Sequence, residues 1–175
     1  IEDFDESSFS RNPNTSIELT SDEDIALLKR RENFQAIYLH YENESLKAII
    51  LPVRGYGLWG TMKGYLALES DLQTVIGLEF FDHKETPGLG GEIVNPRWKA
   101  IWKGKKVYSD SGDVIISVIK GSVDKSNKNA KFQVDGLSGA TITSNGVTNL
   151  LSFWLGEMGY GPLIKEIRSK ESADV

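Results

Sequence analysis

The hydrophobic pattern of this chain is clearest near its C-terminal end. Val147, Leu150, Leu151, Trp154, Leu155 and Met158 recur at i, i+3, i+4, i+7, i+8 and i+11, which is one apolar stripe of an amphipathic helix. Upstream, residues 34–41 and 46–53 predict a hairpin turning at 42–45, and 61–69 and 72–81 predict two further strands. Residues 113–120 and 131–134 read as strands separated by the polar loop 122–129. A helix is predicted over 20–31, opened by Thr20-Ser21-Asp22-Glu23 and closed by Lys29-Arg30-Arg31, as the helix dipole favours. Asn95-Pro96 predicts a short helix ended by Gly104, with Trp98 and Trp102 on one core-facing side. A last short helix is predicted near 163–168, after the break at Gly159-Tyr-Gly-Pro162. Residues 1–19 are polar and acidic and read as a loose arm, leaving 20–175 as one domain. Strands outnumber helices and pair mainly as hairpins, so the fold class expected is α+β with largely antiparallel sheet.

Composition narrows the chemistry. The chain has 175 residues, 39% hydrophobic and 26% charged, enough for one domain with a proper core. Its net charge is −5 and its one basic run is Lys29-Arg30-Arg31, which argues against nucleic acid. With no cysteine, the chain can supply no disulfide, thiolate metal site or iron–sulfur ligand. His40 and His83 are far apart and match no metal-ligand spacing, so no metal is expected. No apolar run approaches a membrane span; residues 48–53 come nearest and are interrupted by Pro52. The sequence begins at Ile1 without methionine, and reads as a processed protein or a fragment.

The candidate chemistry lies just before the striped helix. The segment 135–146 packs the hydroxyls of Ser138, Thr141, Thr143 and Ser144 among Gly136, Gly139 and Ala140. Unpaired N–H groups and the positive dipole end converge where a helix begins, and small residues let a ligand approach the backbone. This reads as a phosphate seat, against the plainer alternative of a helix N-cap. A hydrolase using Ser138 lacks a histidine with a claim to be its base. Gly55-Tyr-Gly-Leu-Trp-Gly60 matches the dinucleotide fingerprint in letters, but a strand follows it instead of a helix, so no nicotinamide site is expected. Leu58 and Trp59 in that loop suit the apolar face of a flat ring, or else anchor the loop. The loop 82–92 carries Pro87 and several glycines, a tightly shaped turn. Lys120 reads as a solvated strand end, with a ligand-facing lysine as the alternative.

Two strings in this chain resemble a known family. Asp135-Gly-Leu-Ser-Gly-Ala-Thr141 resembles the flavinylation motif of the FMN-binding domains of sodium-pumping NADH:quinone oxidoreductase and the related Rnf complexes. Glu85-Thr-Pro-Gly-Leu-Gly90 resembles a second segment of the same domains, lying near the isoalloxazine. Gly57-Leu-Trp-Gly60 and Tyr65-Leu-Ala-Leu68 make the chain more similar to the C-type flavin-bearing component of the sodium pump than to its G-type counterpart in Rnf. The resemblance implies FMN esterified through its phosphate to Thr141, with Thr143 as the local rival, by a dedicated flavin transferase. It implies cofactor contacts from Leu58, Trp59, Gly60, Glu85, Thr86, Gly88, Leu89, Gly90, Lys120, Ser138, Gly139, Ala140, Thr143 and Ser144. Asp135 and Gly136 are expected either to be recognised by the transferase or to set a turn. The family further implies electron relay between partner subunits, an iron–sulfur centre and another flavin among them. It also implies sodium translocation coupled to ubiquinone reduction, and a periplasmic domain behind an N-terminal membrane helix. The plain alternative is a non-catalytic periplasmic interaction module.

Overall fold

The computed structural model describes residues 6–173. At its centre is one antiparallel sheet in the order β3-β4-β5-β6, formed by Tyr38–Glu42 (β3), Ser45–Tyr56 (β4), Thr61–Glu69 (β5) and Val75–Asp82 (β6). The first hairpin turns through Asn43 and Glu44, both at positive φ, the two-residue turn whose twist matches the strands it joins. Alternation then does the rest. Ile49, Leu51 and Val53 of β4, with Met62, Leu66 and Leu68 of β5, point to one buried face, while Tyr65 and Lys63 point away.

That buried face receives the striped helix, Thr141–Leu155 (α3). Val147, Leu150, Leu151 and Trp154 are buried in the shared core, and Trp154 Nε1 donates to the Arg54 carbonyl at 2.7 Å. Met158 continues the periodicity in sequence but lies beyond the helix, which Gly156 ends. Two glycines set the approach of helix to sheet. A Cβ on Gly55 would stand 2.6 Å from Leu150 Cβ, and one on Gly146 would stand 2.5 Å from the Tyr56 carbonyl. Gly146→Ala should therefore reverse the usual gain from removing a helical glycine, about 1 kcal/mol. The expected result is a loss of roughly 1–3 kcal/mol, as in overpacked cores, measured by denaturant unfolding.

A second, smaller pairing is parallel. Ser117–Val118 (β7) runs beside Gln133–Val134 (β8), shorter than the strands predicted over 113–120 and 131–134; a 3-10 turn at Ala130–Phe132 takes the first half of the second. The short helix Pro96–Ala100 (α2) starts where predicted, with the Asn95 side chain accepting from the Arg97 N–H at 2.9 Å, but ends at Ala100 and gives way to turns before Gly104. Its Trp98 and the following Trp102 are buried, edge to face at 5.3 Å. The last helix, Gly161–Ala173 (α4), is longer than the stretch 163–168 predicted for it.

The N-terminal quarter departs most from expectation. No helix spans 20–31. The capping box does form, since Thr20 N–H and Oγ1 both donate to the Glu23 carboxylate and the Asp24 N–H reaches the Thr20 carbonyl. The Asp24 carboxylate then takes the N–H groups of Leu28 and Lys29, and Leu27 and Lys29 turn to positive φ. A side chain has replaced the carbonyl that would have continued the helix. Arg30–Glu32 (β2) instead pairs antiparallel with Ser16–Glu18 (β1), preceded by the helix Glu6–Arg11 (α1). Part of the stretch read as a loose arm is thus ordered. It is tied to the sheet through the buried ion pair between Glu32 and Arg54.

Candidate functional site

The motif at 135–146 is delivered by β8 and fixed from both sides. Trp98 Nε1 donates to the Asp135 carbonyl at 2.9 Å, and the Asp135 carboxylate accepts the Val123 N–H at 2.8 Å. Asp135 therefore staples the loop after β7, rather than closing the Asp-Gly turn. Gly136 N–H donates to the Gly121 carbonyl, and a Cβ at Gly136 would meet the Ile119 carbonyl at 2.2 Å. No side chain larger than hydrogen fits there. Gly139 adopts φ +70 and presents an open backbone.

The four hydroxyls part company in three dimensions. None caps α3, whose N-cap is Ala140. Ser144 is buried and its Oγ accepts the Leu137 N–H at 3.2 Å. Thr143 is 1% exposed and its hydroxyl donates to the Glu85 carboxylate. Ser138 and Thr141 are exposed. Thr141 opens α3, where the first N–H groups of a helix have no intrahelical acceptor. It lines a cavity of about 470 Å³ with Ser138, Gly139, Ser144, Lys120 and Asn145. That volume lies in the range of small-molecule sites.

Beside this cavity the loop carrying Glu85 joins the other expected segments. Glu85 is 4% exposed, and its carboxylate accepts the N–H groups of Leu58 at 3.1 Å and Trp59 at 2.9 Å besides the Thr143 hydroxyl. Burial pushes this carboxyl up. Hydrogen bonds from Thr143, Trp59, Leu58 and Gly60 outweigh it and hold the group below the ordinary carboxylate range. Cβ atoms on Gly57 and Gly90 would stand 2.5 Å from Glu85 Oε1 and Thr143 Oγ1, so these two glycines make room for the knot. The Glu85 N–H in turn donates to His83 Nδ1 at 3.1 Å, which gives that histidine a loop-setting contact.

Through this knot the Leu58–Trp59 loop, the 85–90 loop and the start of α3 are brought together. Trp59 is 61% exposed, Leu58, Leu89 and Ile142 are exposed, and Leu89 Cδ2 would lie 3.0 Å from a Cβ on Gly139. Thr86 and Gly88 are exposed in the turn before Leu89, and Gly60 and Gly90 are buried. Of the residues expected at the site, Lys120, Gly136, Ser138, Gly139, Thr141 and Ser144 line the cavity. Glu85 and Thr143 face the protein instead, as does Ala140, which is buried. Sequence reading passed over Ile119, Gly121, Ser122 and Asn145, all on the cavity wall. Asn145 stood inside the motif and one turn after Thr141, a signal that was available. The other three come from a loop with no distinctive composition.

Among the described residues no group of three or more His, Cys, Asp or Glu is placed to hold a metal ion, and no helix is long and apolar enough to cross a membrane. Residues 57–156 match the model of the FMN-binding domain family. The chain is 50% identical over 169 residues to NqrC, the C-type component of the Na(+)-translocating NADH-quinone reductase, of Pseudomonas aeruginosa, covering 97% of this chain and 65% of that protein. It is 46% identical over 166 residues to the corresponding protein of Yersinia pestis, covering 94% and 61%. It thus spans a little under two thirds of the length of these curated relatives. The crystal structure of Shewanella oneidensis NqrC superposes with a TM-score of 0.88 at 34% identity, over 95% of this chain and 75% of that one.

Proposed function

We propose, on the premise that this chain belongs to the FMN-binding domain family and to its NqrC branch, that it is an electron-relay subunit carrying FMN esterified to Thr141. The observation that carries this reading is the division between the two threonines. Thr141 is exposed on the wall of the 470 Å³ cavity, while Thr143 is buried and already committed to Glu85.

The residues present suit such a group. An esterified phosphate at Thr141 would keep one negative charge at the start of α3, where free N–H groups and the helix dipole favour an anion. Lys120 on the cavity wall adds a cation. Charge-assisted hydrogen bonds of this kind contribute roughly 1.5–3 kcal/mol each. Exposed Leu58, Trp59 and Leu89 offer apolar surface for the ring, the first two held by Glu85 through their N–H groups. Flavin supplies one- and two-electron redox chemistry; the chain supplies position and electrostatics. A tethered group cannot dissociate, so its ring can stay open to partners for electron exchange.

The wider setting is proposed on the same premise. The domain would work within a membrane complex that oxidises NADH, reduces ubiquinone and moves sodium. It would sit on the periplasmic side behind an N-terminal helix, with residues 1–19 as the membrane-proximal arm, and be matured by a flavin transferase that reads Asp135 and Gly136. Co-expression with that transferase, followed by intact-mass spectrometry, tests the assignment. A single FMN-phosphoryl adduct on the peptide containing Thr141, and a yellow protein, are expected. An unmodified, colourless chain would favour a non-catalytic interaction module.

A further inference from the structure

A second cavity, of about 390 Å³, lies away from Thr141 and is lined by five cations, Arg11, Lys29, Arg30, Arg54 and Lys63. They arrive from α1, from the turn before β2, from β2, from β4 and from β5, so the fold gathers charges that are scattered in sequence. This happens in a chain whose net charge is −5. Three of the five have carboxylate partners: Arg30 with Glu18 at 3.2 Å, Arg54 with buried Glu32, and Lys63 with Asp82 at 3.8 Å. Among the described residues Arg11 and Lys29 have none within ion-pair distance. Thr61 adds a hydroxyl to the wall.

The rim has the opposite character. Leu27 lines the same cavity, is 62% exposed, and is held at φ 55, a conformation that costs a non-glycine residue free energy. Ile25 of the same turn is also exposed. A soluble surface gains nothing from presenting two branched aliphatics on a strained turn beside a basic pocket. An anion with an apolar body gains from both. The cavity is concave and headgroup-sized, whereas protein partners of ordinary affinity need a broad face of about 800 Å².

We propose that this cavity binds the phosphate group of an anionic phospholipid, with Leu27 and Ile25 entering the lipid interface. The site is separate from the flavin reading and stands without it. Flotation of the purified chain with phosphatidylcholine vesicles, with and without phosphatidylglycerol, tests it. Binding is expected only to the anionic vesicles, weakening as salt is raised. Arg11→Gln and Lys29→Gln are each expected to weaken it about fivefold, the effect of one cation near a charged membrane. Leu27→Ser is expected to weaken it with charge unchanged. All three side chains are exposed, so melting curves should hold and a folding defect can be told apart. Titration with glycerol 3-phosphate, followed by amide chemical shifts, distinguishes the source. Saturation of the cavity by the free anion without vesicle binding overturns the lipid assignment. Vesicle binding that survives the Arg11→Gln/Lys29→Gln double substitution overturns the site.

Discussion

Thr141→Val, co-expressed with the flavin transferase, is expected to give a folded domain that retains no flavin after denaturation. Thr143→Val is expected to keep the flavin and lose stability. The contrast follows from where the two hydroxyls sit. Thr141 is exposed on the cavity wall, so exchanging its hydroxyl for a methyl removes an acceptor oxygen and disturbs no internal hydrogen bond found among the described residues. Thr143 is buried and donates to Glu85, and removing that donor leaves a buried carboxylate oxygen short of a partner. The cost of such a loss is about 1–3 kcal/mol. In-gel flavin fluorescence and thermal melts on the two variants separate the outcomes. Flavin surviving on Thr141→Val would move the attachment to another oxygen and remove the main support for the reading of this cavity.

Glu85→Ala is the substitution expected to cost most. It leaves the N–H groups of Leu58 and Trp59 and the Thr143 hydroxyl without their acceptor at once, in a buried setting. A buried donor left without its acceptor costs about 1–3 kcal/mol, so losing three acceptor sites at once costs roughly 3–5 kcal/mol. The same residue sets an acid limit. Its carboxyl is held below the ordinary range in the folded chain, so its contribution is present above the unfolded value of about 4.3. It is lost as pH falls through the lowered folded value. Urea unfolding followed from neutral to acid pH should show a steep loss for the native chain. Glu85→Gln should start lower and fall less steeply. Parallel acid limbs in the two proteins would assign the pH dependence to other carboxylates.

How much was legible beforehand differs by region, for identifiable reasons. The hairpin, the strands on either side of Gly60 and the helix after the motif were readable because a buried face imposes a period of 2 or 3.6 on consecutive residues. The failed helix over 20–31 had the right cap and the right charge order. A single Asp24 carboxylate diverted the chain, and that competition leaves no trace in a periodic pattern. The strands predicted over 113–120 and 131–134 shrank to two residues each because their apolar runs serve the core from loops.

The sequence by itself determined the antiparallel sheet, the helix that covers it, and the hydroxyl-rich segment at that helix's start, since each is written in adjacent residues. It also carried two strings whose resemblance pointed to one family. Which of two threonines faces outward, separated by a single residue, was decided only by the tertiary structure. So was the setting of Glu85, whose carboxylate joins its own loop to the Leu58–Trp59 loop and to the start of α3. Both depend on residues 26 to 58 positions apart meeting in space. The physical reason is general: periodicity encodes burial, whereas the partner of a buried polar group is chosen by whichever distant segment the packed core brings within reach of it.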